Sequence, residues 1–522
     1  MLLLTKEAAD IMLAQKGGEA EISGAGTGAC FLCILRLPGF RTGSRKRDLK
    51  KEILRMARKA AFHSLGCKVN SYETDAMRQS LLAAGYEEVP FAPGADIYVI
   101  NTCTVTNVAD KKSRQMLHRA KEMNPDAVVV AAGCYVQDAE DSLRADPAVD
   151  IIVGNHEKGM LPEILGAYFS DLMQSRGIAV SRINSVREYD ELHFVPDGEH
   201  TRAFLKIQDG CNQFCSYCMI PYVRGRVRSR KSIEILREAE KLAERGYREI
   251  VLTGIHISSY GLDFEYPGMN RQTPYASAAE TNHRLLDIIR GIAEISGIER
   301  IRLGSLEPGI ITEEFVREIA KIKKVCPSFH LSMQSGSDST LLRMRRKYRT
   351  ADFAEKCALL RKYYEMPAIT TDIIAGFPGE TEEEFAETLR FVSEIHFSRT
   401  HIFKYSVRKG TAAAKMAGQI PEKVKQARSA KLIELDKKER VVYAESFLGK
   451  KVSVLFEERA VISGKKAFKG YTREYVPFIF YTGRDLANEI IELIPDSVTP
   501  RGELAASDEA CTQAADQKGA MA

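Results

Sequence analysis

Four short apolar runs open the patterned part of the chain: Lys59 to Leu65 (KAAFHSL), Asp96 to Asn101 (DIYVIN), Ala127 to Ala132 (AVVVAA) and Asp150 to Val153 (DIIV). Between them lie stretches whose apolar positions recur at helical spacing, such as Tyr72 to Ala84 and Ala109 to Met123. Short apolar runs alternating with helical stretches predict a small doubly wound parallel sheet. Residues 155–202 are polar and weakly patterned and read as a linker. Six more strand-like runs follow: Ala203 to Ile207, Glu249 to Thr253, Arg300 to Leu303, Phe329 to Met333, Ile369 to Ile374 and Thr400 to Tyr405. Amphipathic stretches such as Ser232 to Arg245 and Thr381 to Glu394 separate them. This pattern predicts a partial TIM-like (β/α)6 barrel, whose site belongs at the carboxyl ends of its strands. Leu262 to His283 breaks the alternation with Pro, Gly and Asn and reads as an inserted surface loop. After a charged helical stretch, Pro421 to Phe447, the runs Lys451 to Phe456, Lys465 to Phe480 and Glu489 to Ile494 predict a small appended β-barrel. From Val498 onward there is little apolar content, and disorder is expected.

The α/β chain is thus divided into a sheet domain at 57–170, a linker at 171–199, the barrel at 200–440 and the β-barrel at 441–497. Residues 1–56 form a leader and 498–522 a tail. The stretch Arg41 to Lys59 holds nine basic residues and follows the leader's apolar run, the reverse of a signal peptide. Met56, just before the first strand, reads as an alternative start. No run approaches the ~18 apolar residues that a membrane span needs, so a cytoplasmic protein without a membrane partner is expected. A net charge of +5 neither demands nor excludes a nucleic acid partner.

Eleven cysteines in such a chain point to metal or catalysis before disulfides, because reducing compartments keep thiols free. Cys211, Cys215 and Cys218 form C-x3-C-x2-C just after the first barrel strand. Zinc sites usually bring two C-x2-C pairs and ferredoxins a fourth cysteine, and neither pattern is completed nearby. Three ligands on one loop suit a cubane cluster with one iron left open to a further ligand. Cys67, Cys103 and Cys134 each follow a different strand of the first sheet. Strand carboxyl ends line one crevice in such a sheet, so three distant thiols would converge there without a local motif and hold a second cluster. Cys30 and Cys33 make a lone C-x2-C and Cys511 lies in the tail; both read as incidental.

Other chemistry-bearing residues recur at the same end of the predicted barrel: Ser305 to Glu307, Gln334 to Asp338 and Asp372 to Glu380. Gly336, Gly376 and Gly379 among them would permit close approach to a ligand. Two basic runs flank the cysteine loop, one with Arg224, Arg226, Arg228, Arg230 and Lys231, the other with Arg343, Arg345, Arg346, Lys347 and Arg349. Charge runs are usually solvated faces. Two beside one site mouth fit phosphate contacts with a folded RNA.

Several motifs resemble the radical S-adenosylmethionine (SAM) methylthiotransferases, enzymes that insert sulfur and a methyl group at an unactivated C–H bond. They are LGCKVNSYE (Leu65 to Glu73), NTCTVT (Asn101 to Thr106), AAGC (Ala131 to Cys134), GCNQFCSYCMIPYVRGRVRSR (Gly210 to Arg230) and QSGSD (Gln334 to Asp338). The resemblance covers roughly residues 57 to 497. It implies a catalytic 4Fe–4S cluster on Cys211, Cys215 and Cys218, whose open iron holds SAM, and an auxiliary 4Fe–4S cluster on Cys67, Cys103 and Cys134. Tyr217, Glu307, Gln334, Asp372 and Gly376 are the candidate SAM contacts. Arg224, Arg226, Arg228, Arg343, Arg345 and Arg346 are the candidate RNA contacts, and the segment with GYTREY (Gly470 to Tyr475) takes the place of the family's RNA-binding TRAM domain. The KVN after Cys67 and the GRVRSR ending resemble the MtaB type, which acts on N6-threonylcarbamoyladenosine at position 37, in the tRNA anticodon loop. Relatives acting on isopentenyladenosine or on a ribosomal protein share all six cysteines and form the alternative. A non-enzymatic iron–sulfur RNA-binding protein is the reading of another class. An electron donor such as flavodoxin or ferredoxin is implied as partner, and the sulfur donor is unknown. Three features depart from the family: FKYS with Lys404 in place of a common proline, the longer loop at 262–283, and the leader.

Overall fold

A computed structural model of the chain describes residues 58–170, 177–192, 201–265 and 278–508. Strands β1 (Lys59–Ser64), β2 (Glu87–Glu88), β3 (Ile97–Thr102), β4 (Val128–Gly133), β5 (Ile151–Val153) and β6 (Gly177–Ala179) form one sheet in the order β2-β1-β3-β4-β5-β6, parallel throughout. Helices cover both faces, which is why β3 and β4 read as unbroken apolar runs. On one face α1 (Lys68–Ala83) brings Met77 and Leu81, and a fourth helix (Leu161–Phe169) brings Leu161 and Leu165, onto Ile97, Val99 and Val130. On the other, α2 (Asn107–Met123) and α3 (Cys134–Ala145) bring Leu117, Ala120 and Val136 onto Tyr98, Ile100 and Val129. The strand order reverses at β1 and β3, so their connections leave in opposite directions and open a crevice at the carboxyl ends. Strand β6 corrects the reading of its segment as pure linker. It pairs with β5 through three residues, too few to leave a period in the sequence.

The barrel strands are β7 (Arg202–Asp209), β9 (Glu249–Gly254), β10 (Arg300–Leu303), β12 (Ser328–Leu331), β13 (Ala368–Ala375) and β14 (Arg399–Lys404), with β8 (Arg228–Ser229) and β11 (Ser305–Leu306) as short additions. All six predicted strands are present. They form two half-sheets, β10-β9-β7-β8 and β11-β12-β13-β14, linked by a main-chain bridge between Ile301 and Val325. Leu205, Leu252, Leu303, Leu331 and Ile373 face outward onto helical Leu242, Ile289, Phe315, Phe353 and Phe385 in one continuous core. Alternate residues of the same strands therefore face the barrel interior. Helix continues into both ends of the predicted insertion, over Leu262–Glu265 and from Ala278; residues 266–277 lie outside the described residues, as do the leader cysteines and Cys511.

The carboxyl-terminal strands are β15 (Val452–Ile462), β16 (Lys465–Thr472), β17 (Pro477–Tyr481), β18 (Ile490–Leu493), β19 (Ser497–Val498) and β20 (Leu504–Ser507). They pair as β18-β15-β16-β17-β20-β19, a half-barrel around Phe456, Phe468, Phe478 and Phe480. Strand β20 overturns the expectation of disorder from Val498: Leu504, Ala505 and Ala506 are buried. Arg300 and Arg302 dock this unit onto the barrel. Arg300 donates to the carbonyls of Tyr471 (3.0 Å) and Ser453 (2.8 Å), and Arg302 to that of Arg473 (3.0 Å) and to Glu249 at the start of β9 (2.9 Å). The half-barrel thus sits toward the amino-terminal ends of the barrel strands, away from the cysteine loop that follows β7.

Candidate active site

Cys67 caps α1 just beyond β1, Cys103 follows β3 directly, and Cys134 opens α3 after β4. Two glycines make this convergence sterically possible. Gly66 has φ +103°, and a Cβ there would lie 2.8 Å from Cys103 Cβ; Gly133 has φ +100° and packs against the Thr102 backbone. Asn70 clamps the crevice, donating through Nδ2 to the carbonyls of Leu65 (2.6 Å) and Thr102 (3.0 Å). Burial pushes the Cys103 thiol up to about 11, with Cys134 and Cys67 adding repulsion, so the three sulfurs share one field.

Cys211, Cys215 and Cys218 lie on the loop after β7. Gly210 begins it at φ +72°, where a Cβ would run into the Arg226 carbonyl. The Cys211 amide donates to Gly225 O (3.0 Å), and Ser216 donates from its amide to Met344 O (3.0 Å) and from its hydroxyl to Arg343 O (2.8 Å), tying the loop to the end of the fourth barrel unit. Burial, then the neighbouring Cys215 and Cys218, raise the Cys211 thiol well above its ordinary value; burial and Cys215 push Cys218 up to about 12. Arg346 Nη1 donates to Cys215 Sγ (3.2 Å), while its Nη2 holds Glu307 (2.8 Å).

The segments that carry the two trios meet at the domain interface. Met219 and Val223, immediately after Cys218, pack on Cys134, and Arg224 Nε lies 3.1 Å from Cys134 Sγ. Asn155 Nδ2 reaches the same sulfur (3.7 Å) and Val223 O (2.8 Å). Arg408, after β14, fastens the other side through Thr104 Oγ1 (2.6 Å), Asp138 (2.8 Å) and Asn107 (2.8 Å). Asn155 and Arg408 were not identified from the sequence, and Asn70 entered only as part of the KVN segment. The partners of Asn155 and Arg408 are distant in the chain and carry no local spacing.

The arrangement fits iron–sulfur clusters. Among the described residues no three His, Cys, Asp or Glu side chains converge on a single ion. A cubane has no such need, because each thiolate binds a different iron. Among the described residues, Lys158, Lys206, Arg224 and Arg228 around Cys134 form ion pairs with only two carboxylates, Glu73 and Asp209. The surplus positive charge borders the sulfur, where bound thiolate would offset it.

The remaining candidates are distributed as follows. Glu307 is buried; burial alone would raise its carboxyl, but Arg346 and His256 beside it hold it below the ordinary value. Gln334, at φ +70°, exchanges main-chain bonds with Asp372 O and Ile374 N (both 2.9 Å), so Gln334 and Asp372 share one level of the barrel. Asp372 lies 3.3 Å from His330 Nε2 and beside His401 in register. Tyr217 is half-buried, edge-on to Phe377. Gly376 has a nearer reason than ligand approach: at φ +73° a Cβ would strike Lys425.

The RNA-contact expectation needs correction. Arg224 and Arg228 are buried, and the Arg346 side chain is 6% exposed and spent on Glu307 and Cys215. No phosphate can reach them, because each is consumed by neutralising interior groups. Arg343 pairs with Glu384 (3.0 Å), Arg226 is half-buried over the Phe214 ring, and Arg345 is exposed.

A parallel barrel carrying three cysteines on the loop after its first strand defines a radical-SAM enzyme, and residues 205–392 match the Radical SAM superfamily. Residues 59–154 match the uncharacterized protein family UPF0004. The chain is 41% identical over 434 residues to the threonylcarbamoyladenosine tRNA methylthiotransferase MtaB of Bacillus subtilis, covering 83% of this chain and 92% of the relative. It is 39% identical to the protein of the same name from Aquifex aeolicus, covering 77% and 93%. It is 34% identical to tRNA-2-methylthio-N(6)-dimethylallyladenosine synthase of Acetivibrio thermocellus, covering 79% and 83%. The chain belongs to the radical-SAM methylthiotransferase family. Membership carries with it SAM and a 4Fe–4S cluster. Among the described residues no helix is long and apolar enough to cross a membrane.

Proposed function

We propose that this enzyme converts N6-threonylcarbamoyladenosine at position 37 of tRNA to its 2-methylthio derivative, working in the cytoplasm with electrons from a flavodoxin or ferredoxin. The observation that supports the reading is the meeting of the two trio-bearing segments at one interface, where Met219 and Arg224 lie against Cys134. The trio Cys211, Cys215 and Cys218 holds the catalytic 4Fe–4S cluster, and Cys67, Cys103 and Cys134 hold an auxiliary one. When bound, SAM with the catalytic cluster supplies a 5'-deoxyadenosyl radical, and the auxiliary cluster supplies sulfur.

The chain's own groups position these parts. Arg346 donates to Cys215 Sγ and is itself fixed by Glu307, so the ligand set is held in one orientation. Arg224 and Asn155 do the same for Cys134. Tyr217, Glu307, Gln334, Asp372 and Gly376, at or near the ends of the barrel strands, would hold SAM. The substrate base must leave its stack to reach a site enclosed by two domains, which a single-stranded anticodon loop permits and a duplex does not. The identity to the two MtaB relatives exceeds that to the dimethylallyladenosine enzyme and favours the threonylcarbamoyl substrate. Mass spectrometry of tRNA nucleosides from cells lacking this protein tests the reading: the 2-methylthio derivative should vanish while threonylcarbamoyladenosine accumulates. Persistence of the derivative would refute it.

A further inference from the structure

Strand β14 ends the second half-sheet, so one of its edges carries no further strand among the described residues. Its Thr400 amide bonds outward to Asp436 (2.6 Å) and Ile402 packs on the outer core, so the alternate residues Arg399, His401 and Phe403 face the barrel interior. Phe403 pairs in register with Ile374 of β13. Ile374 packs on the Phe377 cluster, and so does Tyr217, which lies between Cys215 and Cys218. Phe403 therefore stands at the level of the catalytic loop, and yet this inward-facing ring is 47% exposed.

The ring also lies close to the segment that follows Cys103. Three residues beyond Phe403 the Ser406 hydroxyl accepts from the amide of Asn107 (3.0 Å), four residues beyond Cys103. Exposed apolar side chains gather along this seam, Val407 from the barrel and Val105 and Val108 from the sheet domain. Lys111, Lys112 and Lys409 are exposed beside them, and none of the three is ion-paired among the described residues. Apolar surface rimmed by unspent positive charge suits a nucleic acid that offers an unstacked base. The candidate SAM contacts lie on the cysteine loop and at or after β11, β12 and β13, which leaves the inner face of β14 without an assigned ligand.

We propose that Phe403 is the platform on which the adenine at position 37 stacks once it has left the anticodon loop; the inference rests on the function proposed above. A base taken out of its stack loses contact on both faces, and an aromatic ring restores one of them. Stacking fixes the plane of the purine and leaves its C2 edge free to react. Phe403 offers that face beside the catalytic loop and next to the seam that leads to Cys103. Lys111, Lys112 and Lys409 then meet phosphates of the flanking nucleotides.

The test is a double-mutant cycle between protein and RNA, read as tRNA affinity of the reconstituted enzyme with SAM present. One tRNA carries threonylcarbamoyladenosine at position 37 and the other lacks the base there. Loss of the base should weaken binding to the parent about tenfold. In Phe403→Ala the same loss should change affinity little, while Phe403→Trp should keep the tenfold ratio. The ratio is internal to each preparation and so cancels differences in cluster loading. A ratio in Phe403→Ala equal to that of the parent, or a parent that binds both tRNAs equally, overturns the role of Phe403. So does a Phe403→Ala variant that loses affinity for SAM and keeps the tRNA ratio, since the ring would then serve the cofactor. Methylthio product from the parent on the threonylcarbamoyl tRNA is measured alongside: its absence overturns the function proposed above and this inference with it, whereas product with an unchanged ratio overturns the role of Phe403 alone.

Discussion

Arg224 donates through both terminal nitrogens to both carboxylate oxygens of Glu73, 151 residues earlier, with one bond at 2.9 Å. The pair couples α1, which Cys67 caps, to the loop that carries the catalytic cysteines. It is fully buried and shared with Lys158, Lys206 and Asp209. Replacing Arg224 by Met removes the two-pronged buried donor of Glu73 and should cost about 3–5 kcal/mol of stability. Urea unfolding checks this, and a loss below about 1 kcal/mol would show that the network relaxes freely.

Iron content separates the trios. Reconstituted parent should carry about eight irons per chain, and the variant with Cys211, Cys215 and Cys218 all changed to Ala about four. Changing Cys67, Cys103 and Cys134 instead should leave reductive SAM cleavage detectable and abolish sulfur insertion. A parent holding only about four irons, or a Cys67, Cys103 and Cys134 variant that still thiomethylates RNA, would contradict the division of roles.

The Glu73 network also sets an acid limit. Burial by itself would raise the Glu73 carboxyl, but Arg224, Lys158 and Lys206 outweigh it and hold the group well below its ordinary value. Its contribution is therefore fully present above the unfolded value of about 4.3 and is lost as pH falls through the lower folded value. Glu73→Gln should be less stable than the parent at pH 7, with the gap narrowing below about pH 4. Unfolding of the iron-free proteins measures it, and a gap that stays constant down to pH 3 would disprove the linkage.

For RNA binding, the exposed Arg345 and the interior Arg346 should behave differently. Arg345→Gln should weaken tRNA binding and reduce the slope of log affinity against log salt by roughly one, without affecting iron content. Arg346→Gln should instead disturb the catalytic cluster, because it removes the donor to Cys215. Equal salt slopes for Arg345→Gln and the parent would remove Arg345 from the interface.

Much of the molecule was legible because its signals are local. The six barrel strands follow from apolar alternation, and the two trios from their positions after strands, since thiols at strand ends converge whatever lies between them. What stayed hidden depends on distant partners. Alternation of arginine in RGRVRSR (Arg224 to Arg230) looks like a basic surface, yet Arg224 and Arg228 turn inward because carboxylates from α1 and β7 await them. Strand β20 escaped detection because Leu504 to Ala506 is small and its pairing partner is Phe478 to Phe480.

The substrate assignment is tested most directly by giving the reconstituted enzyme two tRNAs together, one with threonylcarbamoyladenosine and one with isopentenyladenosine at position 37, and measuring the methylthio product of each by mass spectrometry. The account predicts product from the threonylcarbamoyl tRNA and little or none from the other. Preference for the isopentenyl tRNA, or activity only on a ribosomal protein, would contradict it.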